Sequence, residues 1–370
     1  MPNVPPELSD YIIDFLHNDP ASLKACSLVH RSWVPTARLH IFENVNLLTP
    51  RMCASFDRLM ETSTHLGAYV KEFNVAKLTT TGMSAQDRTA ALAMAERVLP
   101  RIFTHLAYVR AFSVSCLDVD VAMIISLAPH PSVEELVLEY CQFPAFGDFV
   151  DLFHSFPRLR TLSMRGVTWR DTELGARARP EPPRLQSVVL GKDMDTATLT
   201  RWMLAESLHR DIESLSVACV TEDNVIAVEP FLEALGPSLR DLEFHWFCSG
   251  MYVTLPSSFT IEGCTRLRSL SLHSPVAFDC CALPWVTTLL SHLSSEGIES
   301  ISLKLRLLGD LNAIDWEAVE KILTDPKFKS LRTLAVQVLL WQGNNDDLAE
   351  VKSDIRARLP QLESKGIVRM

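Results

Sequence analysis

The cysteines and histidines of this chain are the side chains best suited to bind a metal ion. Cys280 and Cys281 are adjacent, with His273 before them and His292 after them. Their spacing matches no common zinc pattern, and adjacent cysteines rarely bind the same ion. We therefore expect free thiols at these positions and no metal site.

Nucleophilic catalysis is the second chemistry to consider. His245 and Cys248 flank Trp246 and Phe247, but the sequence indicates no carboxylate that would orient a nucleophile–base pair. The nucleophile elbow GxSxG, the Walker phosphate loop, the dinucleotide motif GxGxxG and the zinc-protease motif HExxH are all missing from the sequence. The sequence predicts no catalytic residues and no cofactor, so we expect the protein not to be an enzyme.

Composition and charge exclude several other classes of protein. The chain has 370 residues, of which 47% are hydrophobic, and a formal net charge of −10. A negative chain is unfavourable for nucleic-acid binding, which needs clustered Lys and Arg. Nine cysteines without CxxC spacing are typical of reduced thiols. The start MPNVPPELSD lacks signal-peptide features, and no apolar run is long enough for a membrane span. We expect a soluble cytoplasmic or nuclear protein without nucleic-acid or membrane partners.

A short apolar triplet at positions i, i+3 and i+5 recurs along the chain. Starting from Val109, the intervals between successive triplets are 24, 26, 26, 27, 27, 28, 31 and 33 residues. Recurrence at about 20–30 residues is typical of a leucine-rich repeat. Five copies are nearly identical: PRLRTLSM (157–164), PRLQSVVL (183–190), PSLRDLEF (237–244), TRLRSLSL (265–272) and KSLRTLAV (329–336).

The triplet also predicts the local structure of each repeat. Residues i+3 and i+5 face the same side of a β-strand, while segments 197–209 and 228–236 have helical patterns. One strand and one helix cannot bury an apolar face alone, so successive units must stack. The predicted fold class is α/β, an irregular leucine-rich-repeat-like solenoid with a curved parallel sheet and outer helices. A multi-helix α/β domain with a non-solenoid sheet is the alternative.

Other segments of the chain have clear local patterns. A long helix is expected from Ser84 to Leu106. Segments 170–184 and 343–347 are polar and contain Pro or Gly, so we expect surface loops there. A helix ending at Lys365–Gly366 and a short closing strand are expected at the end of the chain.

The residues between the core positions of each strand point to the open face of the sheet. Most are small, which leaves room for a ligand, and concave solenoid faces are used for extended binding. Ser and Thr are also ordinary soluble strand residues, so this interpretation has a plain structural alternative. The candidate target-binding residues are Glu135, Glu139, Arg165, Asp241, Glu243, His245, His273 and Lys304.

The first 48 residues have the pattern of short helices with too few apolar residues for a large core. The ordered matches are Pro6, Glu7 and Leu8, then Ile12, Ile13 and Leu16, then Leu23, Ser27, Leu28, Val29 and Trp33. This set resembles the F-box, in the form common among fungal F-box proteins. The chain departs from that pattern at Pro5, where Leu is usual, and at His30, where Cys or Ser is common.

The resemblance implies two domains with different functions. Residues 1–48 would be the F-box, and residues 49–370 would be the target-binding solenoid. The F-box would bind a Skp-type adaptor and through it a cullin–RING ligase, which makes the chain the substrate-recognition subunit of an SCF-type ubiquitin ligase. The adaptor-binding candidates are Pro6, Leu8, Ile12, Ile13, Leu16, Leu23, Leu28, Val29 and Trp33.

Three alternatives to the ligase hypothesis stay open. The N-terminal helices could be a cap that seals the first strand of the solenoid. The chain could be a leucine-rich-repeat interaction scaffold with no ligase coupling. An α/β enzyme would require a pair of perturbed titratable groups in a cleft. The identity of the target protein is not encoded in any motif of the sequence.

Overall fold

The computed structural model describes residues 5–76, 84–116, 130–175, 180–247, 255–256, 259–276, 283–307, 311–340 and 348–370. The chain divides into two compact units, Met1–Pro183 and Arg184–Met370. Both units combine helices with parallel strands, which confirms the predicted α/β class. Cys248, Cys280, Cys281 and the predicted loop 343–347 lie outside the described residues.

The first unit begins with the helices α1 (Pro6–Asp14), α2 (Pro20–Val29) and α3 (Val34–Glu43). Each has a proline in its first turn, where the missing N–H removes no intrahelical hydrogen bond. The Asp19 carboxylate accepts hydrogen bonds from two backbone N–H groups at the start of α2, so it caps that helix. We call these three helices the N-terminal helical module.

The helical module has a small hydrophobic core of its own. Ile13, Leu23 and Ala37, one from each helix, are buried together. His40 Nε2 lies 2.8 Å from Asp14 Oδ1, and this polar contact joins α3 to α1. A core of this size is marginal by itself, so such links add to the stability of the module.

The described strands of the first unit form two parallel sets. The larger sheet has the described strands β1 (Asn44–Leu47), β2 (Glu72–Ala76), β3 (Ala111–Ser115), β4 (Glu135–Glu139) and β6 (Thr161–Arg165), in that order. A separate pair is formed by β5 (Gln142–Ala145) and β7 (Thr168–Asp171). Arg170 and Asp171 therefore belong to a strand, and the loop predicted at 170–184 begins only after them because β7 pairs with β5.

The described residues of the first unit contain three further α-helices. They are α4 (Pro50–Thr62), α5 (Ala85–Thr104) and α6 (Phe146–His154). The long helix predicted from Ser84 is confirmed, and the Ser84 hydroxyl caps it by accepting from the backbone N–H of Asp87. The buried Asp57 carboxylate pairs with Arg101 and ties α4 to α5.

The second unit contains a parallel sheet whose strands follow one another in chain order. They are β8 (Ser187–Leu190), β9 (Ser214–Cys219), β10 (Asp241–Trp246), β11 (Ser269–Val276), β12 (Ser300–Leu307), β13 (Thr333–Leu340) and β14 (Val368–Arg369). The α-helices in the described part of this unit are α7 (Thr196–Ala205), α8 (Glu222–Leu235), α9 (Pro284–Ser291), α10 (Trp316–Leu323), α11 (Leu348–Ala357) and α12 (Pro360–Ser364).

The strands alternate between a buried face and a partly exposed face. Leu242, Leu270 and Leu334, each at position i+3 of its triplet, are at most 2% exposed. Residues on the other side of the same strands are half-buried or exposed; on β10, for example, Asp241 is exposed and Glu243 and His245 are half-buried. The predicted strand positions and their core-facing residues are confirmed. The curvature of the sheets stays a prediction.

The C-terminal end of the chain closes the second sheet. Val368 and Arg369 pair with Leu334 and Ala335, which confirms the predicted closing strand. Gly366 has φ +69°, a left-handed conformation that favours glycine, and it turns the chain from α12 into that strand. The buried Glu320 carboxylate accepts from the backbone N–H of Gln361 at 2.6 Å, so it holds α12 against α10.

The predicted domain boundary after residue 48 stays a prediction. Strand β1, which lies before that boundary, pairs with β2 in the parallel sheet of the first unit. The helical module and the first strand are therefore continuous in one compact unit. Among the helices in the described ranges, none is both long and apolar enough to cross a bilayer.

Candidate functional site

A polar cluster lies on the partly exposed face of the second sheet. Parallel pairing places His245 of β10 directly beside His273 of β11, and His273 directly beside Lys304 of β12. One step earlier along the strands, Glu243 lies between Ser216 of β9 and Ser271 of β11. Since side chains two residues apart share a face, these rows project from the same side of the sheet. We call Glu243, His245, His273 and Lys304 the Glu243 cluster.

The Glu243 carboxylate is the centre of this cluster. Its Oε1 lies 2.7 Å from His273 Nε2 and 2.8 Å from Lys304 Nζ. Its Oε2 accepts a hydrogen bond from Ser216 Oγ at 2.8 Å and lies 3.5 Å from His245 Nε2. The two imidazole rings lie side by side, with their centroids 3.8 Å apart. Both histidines therefore present Nε2 to the same carboxylate.

The surroundings of Glu243 and His273 shift their pKa values. Hydrogen bonds from His245 and His273, supported by Lys304 and Ser216, hold the pKa of Glu243 far below its usual range. Burial lowers the pKa of His273, an effect that the hydrogen bond to Glu243 partly opposes. Glu243 is thus a carboxylate at neutral pH, and burial favours the neutral imidazole at His273.

The Glu243 cluster contains four of the eight residues that the sequence predicted on the target-binding face. Asp241 lies on the same side of β10 and is exposed. Glu135, Glu139 and Arg165 belong to the first unit, where Glu139 pairs in register with Arg165 and both lie on the partly exposed face. All eight residues are half-buried or exposed and lie on the partly exposed sides of their strands. Their role in binding a target stays a prediction.

An exposed apolar stripe follows α1 in the helical module. Leu8, Tyr11, Ile12 and Phe15 recur at i, i+3, i+4 and i+7, the spacing that places side chains on one helical face. They are 54%, 60%, 58% and 68% exposed, and the Tyr11 and Phe15 rings pack edge to face with centroids 4.9 Å apart. We call these four residues the α1 stripe. Leu28 and Val29, at the end of α2, are also exposed.

Eight of the nine predicted adaptor-binding residues fall into three groups by burial. Leu8, Ile12, Leu28 and Val29 are exposed and available to a partner. Ile13 and Leu23 are buried in the core of the module, where they face the other helices. The prediction that these two residues contact the adaptor is corrected accordingly. Leu16 and Trp33 are partly buried against that core. Pro6 begins α1, and its backbone position is all that the structure describes.

The sequence interpretation omitted Tyr11 and Phe15 from the exposed surface. Their spacing from Leu8 was visible in the sequence, but the same spacing also describes a face buried against another helix. The packing of α1 decides between the two, because Ile13 and not Ile12 points to α2 and α3. Soluble proteins rarely expose large contiguous apolar patches, and such patches typically mark an interaction surface.

Comparisons with known proteins do not identify a family for this chain. No family model matches the sequence, and no curated protein matches it. A crystal structure of a Bacteroides fragilis protein, solved as a structural-genomics target, has a TM-score of 0.39 and 12% sequence identity to this chain. That alignment covers 80% of this chain and 71% of the other. A likeness at this level carries no argument about function.

Proposed function

We propose that this protein is the substrate-recognition subunit of an SCF-type cullin–RING ubiquitin ligase. In this proposal the N-terminal helical module is an F-box that binds a Skp-type adaptor. The partly exposed faces of the parallel sheets hold a target protein. The chain would act by bringing its target close to a ubiquitin-charged enzyme, which raises the effective concentration of the target.

The observation that supports this proposal most directly is the α1 stripe. Four large apolar side chains more than half exposed on one helix are costly to leave in water, and burial against a partner would recover about 1.5–3 kcal/mol for each aliphatic side chain. The stripe lies in the segment that resembles the F-box. Leu28 and Val29 add two further exposed apolar residues in the same segment.

The small core of the helical module supports the same function. Ile13, Leu23 and Ala37 hold the helices together from within, so the α1 stripe is free to contact a partner without unfolding the module. A cap that only sealed the sheet would be expected to turn its largest apolar groups inward. The exposed stripe therefore favours an adaptor-binding role over the cap alternative.

The proposal is tested by a pull-down of the full chain with a purified Skp-type adaptor. We expect binding to the unmodified chain, and a loss of about tenfold or more when Leu8→Ala and Ile12→Ala are combined, because two buried aliphatic contacts disappear. Alanine favours helix, so circular dichroism should show the variant folded. Ile226→Ala is the matched control, since Ile226 is 50% exposed and lies on α8 of the second unit.

Two outcomes would contradict the proposal. The first is the absence of binding by the unmodified chain at micromolar concentrations of adaptor, which would leave the interaction scaffold as the better hypothesis. The second is equal binding by the double variant and the Ile226→Ala control. The Leu23→Ala variant is the folding control. It should unfold the helical module because it removes a core side chain, so circular dichroism should distinguish it from the folded double variant.

A further inference from the structure

We propose that Glu243, His245 and His273 form a binding site for a divalent metal ion of the Zn²⁺ class. No motif in the sequence predicts such a site, because its ligands come from two strands and follow no known metal pattern. The proposal does not depend on the ligase function. It concerns the chemistry of the exposed sheet face alone.

The geometry of the three side chains supports the site. One ligand atom from each residue, a carboxylate oxygen of Glu243 and a nitrogen of each histidine, lies within 4.8 Å of the other two. The ligands are fixed by the parallel register of β10 and β11, in which His245 and His273 are direct neighbours. Rigid strands position such groups more accurately than loops do.

Hydrogen bonds orient the ligands further. Ser216 Oγ lies 2.8 Å from Glu243 Oε2 and 3.4 Å from His245 Nε2, and Ser271 Oγ lies 3.3 Å from His273 Nε2. Hydroxyl groups at these distances restrict the rotamers of the carboxylate and the rings. The Ser216 hydrogen bond to Glu243 Oε2 orients the carboxylate, as partners of metal ligands commonly do. The hydroxyl contacts to the two Nε2 atoms must give way when those nitrogens bind an ion.

The ligand set indicates which ions fit. Two imidazole nitrogens and one carboxylate oxygen suit Zn²⁺ and similar transition metals, whereas Mg²⁺ and Ca²⁺ prefer oxygen ligands throughout. Each neutral imidazole would bind through Nε2 with its proton on Nδ1. Three protein ligands leave a fourth position of a tetrahedral ion for water or for a side chain of a bound partner.

Lys304 provides a further test of the site, because its ammonium group competes with a metal ion for the Glu243 carboxylate. Lys304 Nζ lies 2.8 Å from Glu243 Oε1, where it neutralises the charge that would attract the ion. About a third of this side chain is exposed (34%), so the flexible stem can swing into solvent when a metal ion replaces the ammonium. Removal of the Lys304 charge should therefore tighten metal binding.

The test is a titration of the full-length protein with Zn²⁺, followed by calorimetry under reducing conditions. We expect one Zn²⁺ per chain at this site, with a dissociation constant of about 10 μM or tighter. His245→Ala combined with His273→Ala should lose that ion. Lys304→Met should bind it more tightly. His65→Ala is the matched control, since His65 is an exposed histidine of the first unit.

Co²⁺ separates this site from the cysteines of the chain. Cobalt held by nitrogen and oxygen lacks the thiolate charge-transfer absorption that cysteine ligands produce. The proposal is overturned if the unmodified chain binds no Zn²⁺, if the double-histidine variant keeps every ion, or if the Co²⁺ spectrum is that of thiolate ligands alone. Should the double variant fail to fold, an unchanged affinity in folded Lys304→Met would equally overturn it.

Discussion

His130 is a buried histidine whose surroundings do little to stabilise the protonated ring. Its ring packs against Phe103, with centroids 4.7 Å apart, and its Nε2 has no hydrogen-bond partner among the described residues. Burial lowers the pKa of His130 below its usual value of 6.5. No carboxylate among the described residues forms an ion pair with it, in contrast to His273 beside Glu243.

The lowered pKa of His130 predicts that acid destabilises the protein. The folded state keeps this ring neutral, while the unfolded chain takes up a proton below the usual pKa of 6.5. The stabilisation is complete above that value and is lost as the pH falls through the lower folded pKa. We expect His130→Leu to reduce the drop in thermal unfolding midpoint between about pH 7.5 and about pH 5.5.

The exposed His65 provides the comparison for this measurement. His65→Leu makes the same replacement at an exposed position and serves as the control. If His130→Leu and His65→Leu give the same pH dependence, then His130 is not a source of acid sensitivity.

At the residue scale, the sequence could predict which side of a strand each residue faces but not which residues meet. Alternation placed Glu243, His245, His273 and Lys304 on the open face. Their convergence depends on the register between strands, in which Glu243 pairs with Ser271 although 28 residues separate them. That register follows the triplets, since equivalent positions of successive triplets pair. The side-chain rotamers that bring Glu243 into contact with both histidines depend on local packing, which the pattern does not encode.

Strand β13 shows how much of the stability of an element depends on one face. Leu334 is fully buried on that strand, whereas Leu339 is 67% exposed. We expect Leu334→Ala to lower the free energy of unfolding by about 2–5 kcal/mol, because it leaves a cavity in the core. Leu339→Ala should change it by less than about 0.5 kcal/mol. Chemical denaturation of both variants measures the difference, and equal effects would contradict the assigned faces.

At the element scale, the apolar triplet predicted the long series of parallel strands. It did not predict β5 and β7, which form their own two-stranded sheet. These strands have four residues each, and β5 contains Pro144, which is unfavourable inside a sheet. Their pairing comes from the local packing of Phe143 and Trp169 near Phe149, a tertiary effect without a periodic signature.

At the scale of the whole molecule, the division into two units falls between Pro183 and Arg184. The preceding residues from Asp171 to Gly175 are exposed, and the side chain of Arg184 is 88% exposed. Exposed, polar connections are preferred sites of proteolysis. We expect limited digestion with trypsin to cut first between residues 171 and 184, which gives two fragments of about half the chain each.

Mass spectrometry of the early products checks this expectation. First cuts inside either parallel sheet would contradict the assigned units. The sequence did not predict the boundary, because the triplets at Leu159 and Leu185 are 26 residues apart, like their neighbours. Because the triplets are evenly spaced across the boundary, only the exposed connecting segment indicates where the two units divide.

The two-residue strand β14 has a consequence for the solubility of the protein. Val368 and Arg369 cover only the start of β13, whose sequence TLAVQVLL has no charge, no proline and no glycine. A strand of this composition is a template for adding identical strands from other molecules, and so for amyloid-like aggregation, wherever its edge is unpaired. By pairing with Leu334 and Ala335, Val368 and Arg369 occupy the part of the β13 edge where a strand of another molecule could otherwise add.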